Sequence, residues 1–318
     1  MGTSGSGVEI GVCLFPSGSA DETVSRARLC EELGFGFVGV GDVQSLWRDL
    51  YVTATLIATS TARIRFGPWV TNPVTRHPSI TANAVATLQE VSNGRAFLGI
   101  GVGDGAVAPI GRRPASLDDL AQAVGEIYRC FRSGGTAVKV YWAAAGPRSL
   151  ACAAEKSDGV IVSGWIVPEV MDRTHASIRE GLARAGRQSD DVELIFNTAV
   201  SVGHDRREAI EAAKPYVARA LARPSSTWLP DWSEGDVLKF KERYDYARHF
   251  SPEHRLKELV PDHMVARKAV AGSPEECLEL ISTIRASGFR KIALIPVGEV
   301  EDVLRMLATT VLPRLKNE

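Results

Sequence analysis

Arg95-Ala96-Phe97-Leu98-Gly99-Ile100-Gly101-Val102-Gly103-Asp104-Gly105 is the stretch on which the reading of the fold turns. An apolar run followed by alternating glycines invites comparison with the G-x-G-x-x-G dinucleotide turn. That turn belongs to an early βαβ unit and needs an acidic residue about 20 residues further on, for the ribose. Here the run is the fourth strand-like segment of the chain, and the acids that follow, Asp118-Asp119, stand where they cap a helix. The glycines therefore read as a strand end within a longer α/β alternation. They are either a bare turn or a backbone platform on which a flat ring lies close to the main chain.

Outward from this stretch, strands and helices alternate in both directions. Upstream, Val8 to Phe15, Phe35 to Val40 and Arg63 to Val70 read as strands. Asp21 is expected to cap a helix to Leu33 that Gly34 stops, and a second helix covers Tyr51 to Ser60. Ile80, Ala84, Leu88 and Val91 have helical spacing over His77 to Val91. Downstream, Leu117, Leu120, Val124, Ile127 and Phe131 mark one face of an amphipathic helix ended by Gly134-Gly135. Lys139 to Ala143, Asp158 to Val162, Val192 to Ser201 and Arg290 to Val297 complete eight strands. Helices open at Pro147, Pro168, Asp205 and Ser273-Pro274-Glu275-Glu276.

Residues 223–262 break the pattern with Trp228, Trp232, Tyr244, Tyr246 and Phe250 among many charges, and read as an insertion before the last strand. Alternation of this kind requires a parallel sheet with right-handed crossovers. Eight units without a dividing linker predict one (β/α)8 TIM barrel over residues 8–318, behind a disordered tail at residues 1–7.

Composition narrows the function. The 318 residues are 45% hydrophobic and 24% charged, with Lys+Arg 37 against Asp+Glu 38 and a net charge of −1. No global basic field is present to hold nucleic acid or an anionic membrane. No apolar run is long enough to span a bilayer. The start of the chain lacks the charged and apolar regions of a signal peptide. The five cysteines have no C-x-x-C or Cys/His spacing, which predicts reduced thiols and no metal site. A soluble, reduced, cytoplasmic protein is the expectation.

A barrel places its chemistry at the C-terminal ends of the strands. That filter selects Phe15-Pro16-Ser17, Gly41-Asp42, Thr71-Asn72-Pro73, Gly101 to Gly105, Ala144-Ala145-Gly146, Ser163-Gly164-Trp165, Asn197 to Ser201 and Pro296 to Gly298. Ala144-Ala145-Gly146-Pro147-Arg148 ends a strand and opens a helix, where free N–H groups, the helix dipole and the Arg148 guanidinium favour a phosphate. Ser163-Gly164 offers a second set of donors at the neighbouring strand end. Asp42 and Asp104 are the carboxylates of the mouth, each either structural or catalytic, and Trp47 and Trp69 are either core or stacking residues.

These segments resemble the bacterial luciferase-like family of flavin- and F420-dependent oxidoreductases. The resemblance is carried by Gly34-Phe35 with Gly41-Asp42, Thr71-Asn72-Pro73-Val74-Thr75-Arg76-His77-Pro78, Ser92-Asn93-Gly94-Arg95 and Leu98 to Asp104. Ala144 to Arg148, Ser157-Asp158-Gly159-Val160, Ala185-Gly186-Arg187, Val260-Pro261-Asp262 and Ala271 to Glu276 continue it in order along nearly the whole chain. Within the family the chain looks most like the methylenetetrahydromethanopterin reductase-like branch.

The resemblance implies a homodimer, a deazaflavin F420 (alternatively FMN) at the strand ends, and a non-proline cis peptide at Trp69-Val70 or Val70-Thr71. It implies Asp42 near the ring's polar edge, Trp69 and Val70 behind the ring, and Thr71, Val102 and Gly103 lining it. Ala144, Ala145, Gly146, Pro147 and Arg148, with Ser163 and Gly164, would hold the phosphate. Asp42, Trp47 and Asp104 are the catalytic candidates, with Asp104 as a proton donor. Two departures matter. Val43 stands where many F420-dependent alcohol and sugar dehydrogenases have His, and Asp104 where they have Glu. Val43 cannot take an alcohol proton, which points to a reductase delivering hydride to a C=C or C=N. Arg76, Arg112, Arg113 and Arg148 lie on the loops where a glutamyl tail would leave the pocket. The FMN alternative is a monooxygenase served by a separate flavin reductase.

Overall fold

Every strand pair is parallel. The computed structural model describes residues 8–251 and 253–315. Its strands are β1 (Glu9–Leu14), β2 (Phe37–Val40), β3 (Arg65–Pro68), β4 (Phe97–Ile100), β5 (Lys139–Ala144), β6 (Gly159–Val162), β7 (Glu193–Val202), β8 (Val270–Gly272) and β9 (Lys291–Pro296). The sheet order is β3-β2-β1-β9-β7-β6-β5-β4. Single bridges, Phe66 to Ala96 and Thr71 to Ile100, join β3 to β4. Eight strands thus form a nearly closed TIM-type barrel, as the alternation predicts. The expected tail at residues 1–7 lies outside the described residues.

Helices α1 (Ala20–Glu32), α2 (Leu50–Ser60), α3 (Pro78–Val91), α4 (Asp104–Val107), α5 (Leu117–Ser133), α6 (Pro147–Lys156), α7 (Pro168–Ala185) and α8 (Arg206–Leu221) follow the first seven strands. The insertion contains α9 (Glu234–Arg243), and α10 (Asp262–Ala266), α11 (Pro274–Ala286) and α12 (Val300–Met306) follow. Local chemistry sets their ends. Ser116 and Ser273 form capping boxes with Asp119 and Glu276. Gly186 closes α7 in the left-handed conformation, at φ 63°.

Two expectations are corrected. Ser19, not Asp21, caps α1; its hydroxyl accepts from the Glu22 N–H, and Asp21 lies in the first turn, where its charge favours the helix dipole. A ninth strand exists as well. β8 has only three residues and pairs with Val200–Val202 of β7. Since β9 takes the other edge of β7 at Val200, β8 lies on the β6 side, above the end of β6.

The barrel interior is a packed core of Cys13, Phe37, Trp69, Phe97, Tyr141, Ile161 and Ile195. Phe97 meets Phe37 edge-on at 5.9 Å and Trp69 at 5.8 Å. Gly67 is required where β3 approaches β4, because a Cβ there would run into the Phe97 carbonyl. Charges seal the opposite end of the barrel from the mouth. Glu9, Arg65, Lys139, Glu193 and Lys291 are the first residues of β1, β3, β5, β7 and β9. Arg65 pairs with Glu9, and Lys291 reaches Glu9 at 3.4 Å and Glu193 at 2.5 Å.

Candidate active site

The strand ends gather four groups of residues. At the end of β2, Asp42 is half-buried and accepts a hydrogen bond from Thr71 Oγ1 at 2.7 Å. Burial pushes its carboxyl above the usual range, and the Thr71 hydroxyl opposes that rise. Thr71 is fully buried, held by its N–H to Gly99 O at 3.0 Å and by Gly101 N–H to its own carbonyl at 2.9 Å. The peptide between Trp69 and Val70 is cis, at the first of the two bonds the resemblance indicates.

The glycine stretch forms the second group. Gly103 has φ 85° and precedes α4, which begins at Asp104. Beside it, buried Asn72 accepts from the N–H groups of Val74 and Thr75 at 3.0 Å each, while its amide Nδ2 is buried without a partner. A buried donor of this kind normally finds an acceptor. Asp104 is half-buried; one oxygen pairs with Arg219 and the other accepts from Tyr246 Oη at 3.0 Å. Both oxygens of Asp104 are thus engaged, one by α8 and one by the insertion. Arg219 is 4% exposed and lies over the rings of Tyr244 and Tyr246 at 5.2 and 5.4 Å. Burial, then the nearby Arg223 charge, pulls its guanidinium down to about 10.

The third group joins β5 to β6. Ala145 and Gly146 turn their N–H groups toward Ser149 Oγ at 3.4 and 3.2 Å. The space a Cβ would take at Gly146 is empty to 4 Å. Pro147 occupies the first turn of α6, and Arg148 is exposed beside it. Ser163 N–H donates to Ala144 O at 3.0 Å, so the two predicted donor clusters are neighbours. The Ser163 hydroxyl in turn receives Arg223 Nη1 at 3.3 Å and Lys268 Nζ at 3.5 Å.

The insertion supplies the fourth group. Phe250 stacks on Phe15 at 5.5 Å and tilts against Tyr216 at 5.5 Å. His249 Nδ1 bonds Tyr244 Oη at 2.8 Å and lies against Gly105. Burial, followed by the Arg219 and Arg223 charges, holds His249 well below its usual value. Trp47 stacks on Phe15 at 4.4 Å, at the mouth. Trp69, by contrast, belongs to the interior layer; its Nε1 donates to Asn197 Oδ1 at 2.9 Å, so it supports the floor from beneath. Val70 lies against Gly101, whose Cβ would come within 3.1 Å of it, and Val102 is half-buried.

Arg219, Arg223 and Lys268 carry no motif in the sequence. The one available signal is that Lys268 precedes the apolar Ala269-Val270-Ala271. Among the described residues there is no group of three His, Cys, Asp or Glu able to hold a metal, and no helix is long and apolar enough to cross a membrane.

Comparison with known proteins agrees over the full length. The chain is 28% identical to a 5,10-methylenetetrahydromethanopterin reductase of Archaeoglobus fulgidus, covering 97% of this chain and 100% of that one. It is 27% identical to an F420-dependent glucose-6-phosphate dehydrogenase of Nakamurella multipartita, over 95% and 93%. The coenzyme F420 dependent tetrahydromethanopterin reductase of Methanopyrus kandleri has the same fold, with a TM-score of 0.79 at 24% identity over 97% and 99% of the chains. The family model for luciferase-like monooxygenases matches residues 5–291, and the chain belongs to that family.

Proposed function

We propose that this chain is an F420H2-dependent reductase that delivers hydride to an electrophilic C=C or C=N of a small molecule. The observation that carries the reading is end-to-end likeness to proteins whose names specify a methylenetetrahydromethanopterin reductase and an F420-dependent dehydrogenase. The site's own residues fit a ring with a phosphate-bearing arm. Asn72 Nδ2 is a buried donor lacking an acceptor, beside the glycines that would border the ring. Gly146 leaves open space where a side chain would stand, next to the backbone N–H groups of Ala145 and Gly146, whose only partner among the described residues is the Ser149 hydroxyl at 3.4 and 3.2 Å.

In this reading Thr71, Val102 and Gly103 line the ring, and Asp42 faces its polar edge. Ala144, Ala145 and Gly146, with Pro147 and Arg148, receive the phosphate, joined by Ser163 and Gly164. When bound, a reduced deazaflavin supplies the hydride; the protein supplies position and electrostatics. Asp104 handles the accompanying proton only after Tyr246 or Arg219 releases one of its oxygens. Val43, 5% exposed beside Asp42, offers no base for an alcohol. All five cysteines are free thiols, which supports a reducing, cytoplasmic setting.

A homodimer is also part of the proposal. Val52 and Leu56 on α2 and Ile80 on α3 are 61%, 38% and 54% exposed. Helix α2 carries no charged residue, and α3 carries none before Glu90. Adjacent uncharged faces of this kind suit a second copy of the chain. Absorbance titration with F420 and with FMN tests the cofactor: saturable binding of F420 is expected. Tight FMN binding with no response to F420 would replace the reading with a monooxygenase.

A further inference from the structure

We propose that Ser163, Arg223 and Lys268 form a seat for an oxyanion, a phosphate or carboxylate group, at the end of β6. Lys268 is 1% exposed. Its ammonium meets only neutral groups: the Gly164 carbonyl, Ser163 Oγ at 3.5 Å, and the faces of Trp165 and Tyr216 at 5.5 and 5.6 Å. Burying an ammonium costs several kcal/mol unless an opposite charge compensates. Among the described residues no carboxylate pairs with it.

Arg223 compounds the imbalance. Its Nη1 lies 3.3 Å from the same Ser163 hydroxyl, and it too has no carboxylate partner among the described residues. Two cations from different elements, one after α8 and one before β8, therefore converge on one neutral oxygen. The third cation of the neighbourhood, Arg219, is already matched by Asp104. Burial, and then the Arg223 charge, pushes Lys268 well below the usual lysine value. Like charges held together in a dry site are unfavourable in the free protein. They become favourable when an anion arrives, which is how a preorganised anion site works.

The chemistry has two possible sources. Ser163 is hydrogen-bonded to Ala144, so the seat adjoins the place proposed for the coenzyme's phosphate. A substrate bearing a carboxylate or phosphate would place the same group there. Only this assignment of source rests on the proposed function; the seat itself does not.

The test is calorimetric titration of the full chain with inorganic phosphate, at constant ionic strength, before and after saturation with F420. Binding to the free protein is expected, weakened by about tenfold or more in Arg223→Gln and in Lys268→Met, as for loss of one charge-assisted hydrogen bond. Arg223 is only half-buried, so Arg223→Gln keeps the test decisive if Lys268→Met fails to fold. No phosphate binding to the wild-type chain, or equal affinity in wild type and Arg223→Gln, overturns the seat.

The source follows from two further arms. If the coenzyme's phosphate occupies the seat, F420 expels inorganic phosphate. Both variants then weaken F420 more than its phosphate-free deazaflavin analogue. If a substrate anion occupies it, the F420-loaded protein still binds phosphate with the same sensitivity to Arg223→Gln. Failure to bind F420 at all, with phosphate binding intact, removes the coenzyme reading and leaves the seat standing.

Discussion

Tyr246 and Asp104 are 142 positions apart in the chain, yet the phenol donates to the carboxylate at 3.0 Å. This contact fastens the insertion to the glycine stretch after β4, across the barrel mouth. Tyr246→Phe removes it while keeping the ring. Stability is expected to fall by about 1 kcal/mol, and the segment around residue 250 should be cut faster in limited proteolysis. Unchanged cleavage would mean that the aromatic stack on Phe15 alone holds the insertion.

Asp104→Asn is expected to cost more, about 3 kcal/mol, because it leaves the buried Arg219 charge uncompensated. Adding Arg219→Met should recover part of that loss in urea denaturation, since the pair is then removed together. Turnover should slow more than coenzyme binding weakens. Additive losses in the double variant would show that the two residues act independently.

Gly146→Asp is expected to abolish coenzyme binding while the protein stays folded. The added side chain enters open space, so it meets no steric barrier, but it brings a negative charge to the proposed phosphate position. Gly146→Ala is the control and should bind nearly as wild type does. Equal affinity in the Asp variant, read by absorbance titration, would move the phosphate elsewhere.

Stability should decline as pH falls below about 6.5, the ordinary histidine value. Burial lowers His249 first, with Arg219 and Arg223 adding to it, and burial likewise lowers His254. Below that pH the unfolded chain takes up protons that the folded chain refuses, so unfolding is favoured; above it neither state changes. Each histidine contributes a slope of up to about 1.4 kcal/mol per pH unit. Urea denaturation between about pH 7.5 and about pH 5.5 measures this. His249→Gln should flatten the slope, and an unchanged slope would assign it to other groups.

Val52→Glu or Leu56→Arg should convert a dimer to a monomer in sedimentation equilibrium, by placing a charge on the uncharged α2 face. A wild-type chain that sediments as a monomer, or variants that remain dimeric, would exclude this face as the interface.

The barrel was legible because each strand end carries a physical mark: a glycine, a proline or a capping residue where the period changes from 2 to 3.6. β8 was not, since Val270-Ala271-Gly272 is too short to display a period and is fixed by its pairing with β7. Of the mouth, the small and glycine-rich parts were readable, because backbone donors and open space are local properties. The partners of Asp104 were not. Arg219 and Tyr246 come from α8 and the insertion, and nothing local distinguishes them from solvated side chains. Trp69 illustrates the same limit: a tryptophan at a strand end can face the mouth or the interior, and only its bond to Asn197, 128 positions away, decides.

The ring of charges at the base ties the opening strand to the closing one, Glu9 lying in register with Lys291. While the chain is being synthesised, β1 has β2 on one side and nothing on the other until β9 emerges from the ribosome. The interior aromatics must therefore wait, partly wetted, until Lys291–Pro296 has emerged and paired. Nascent chains should stay protease-sensitive until β9 is available, then close in one cooperative event.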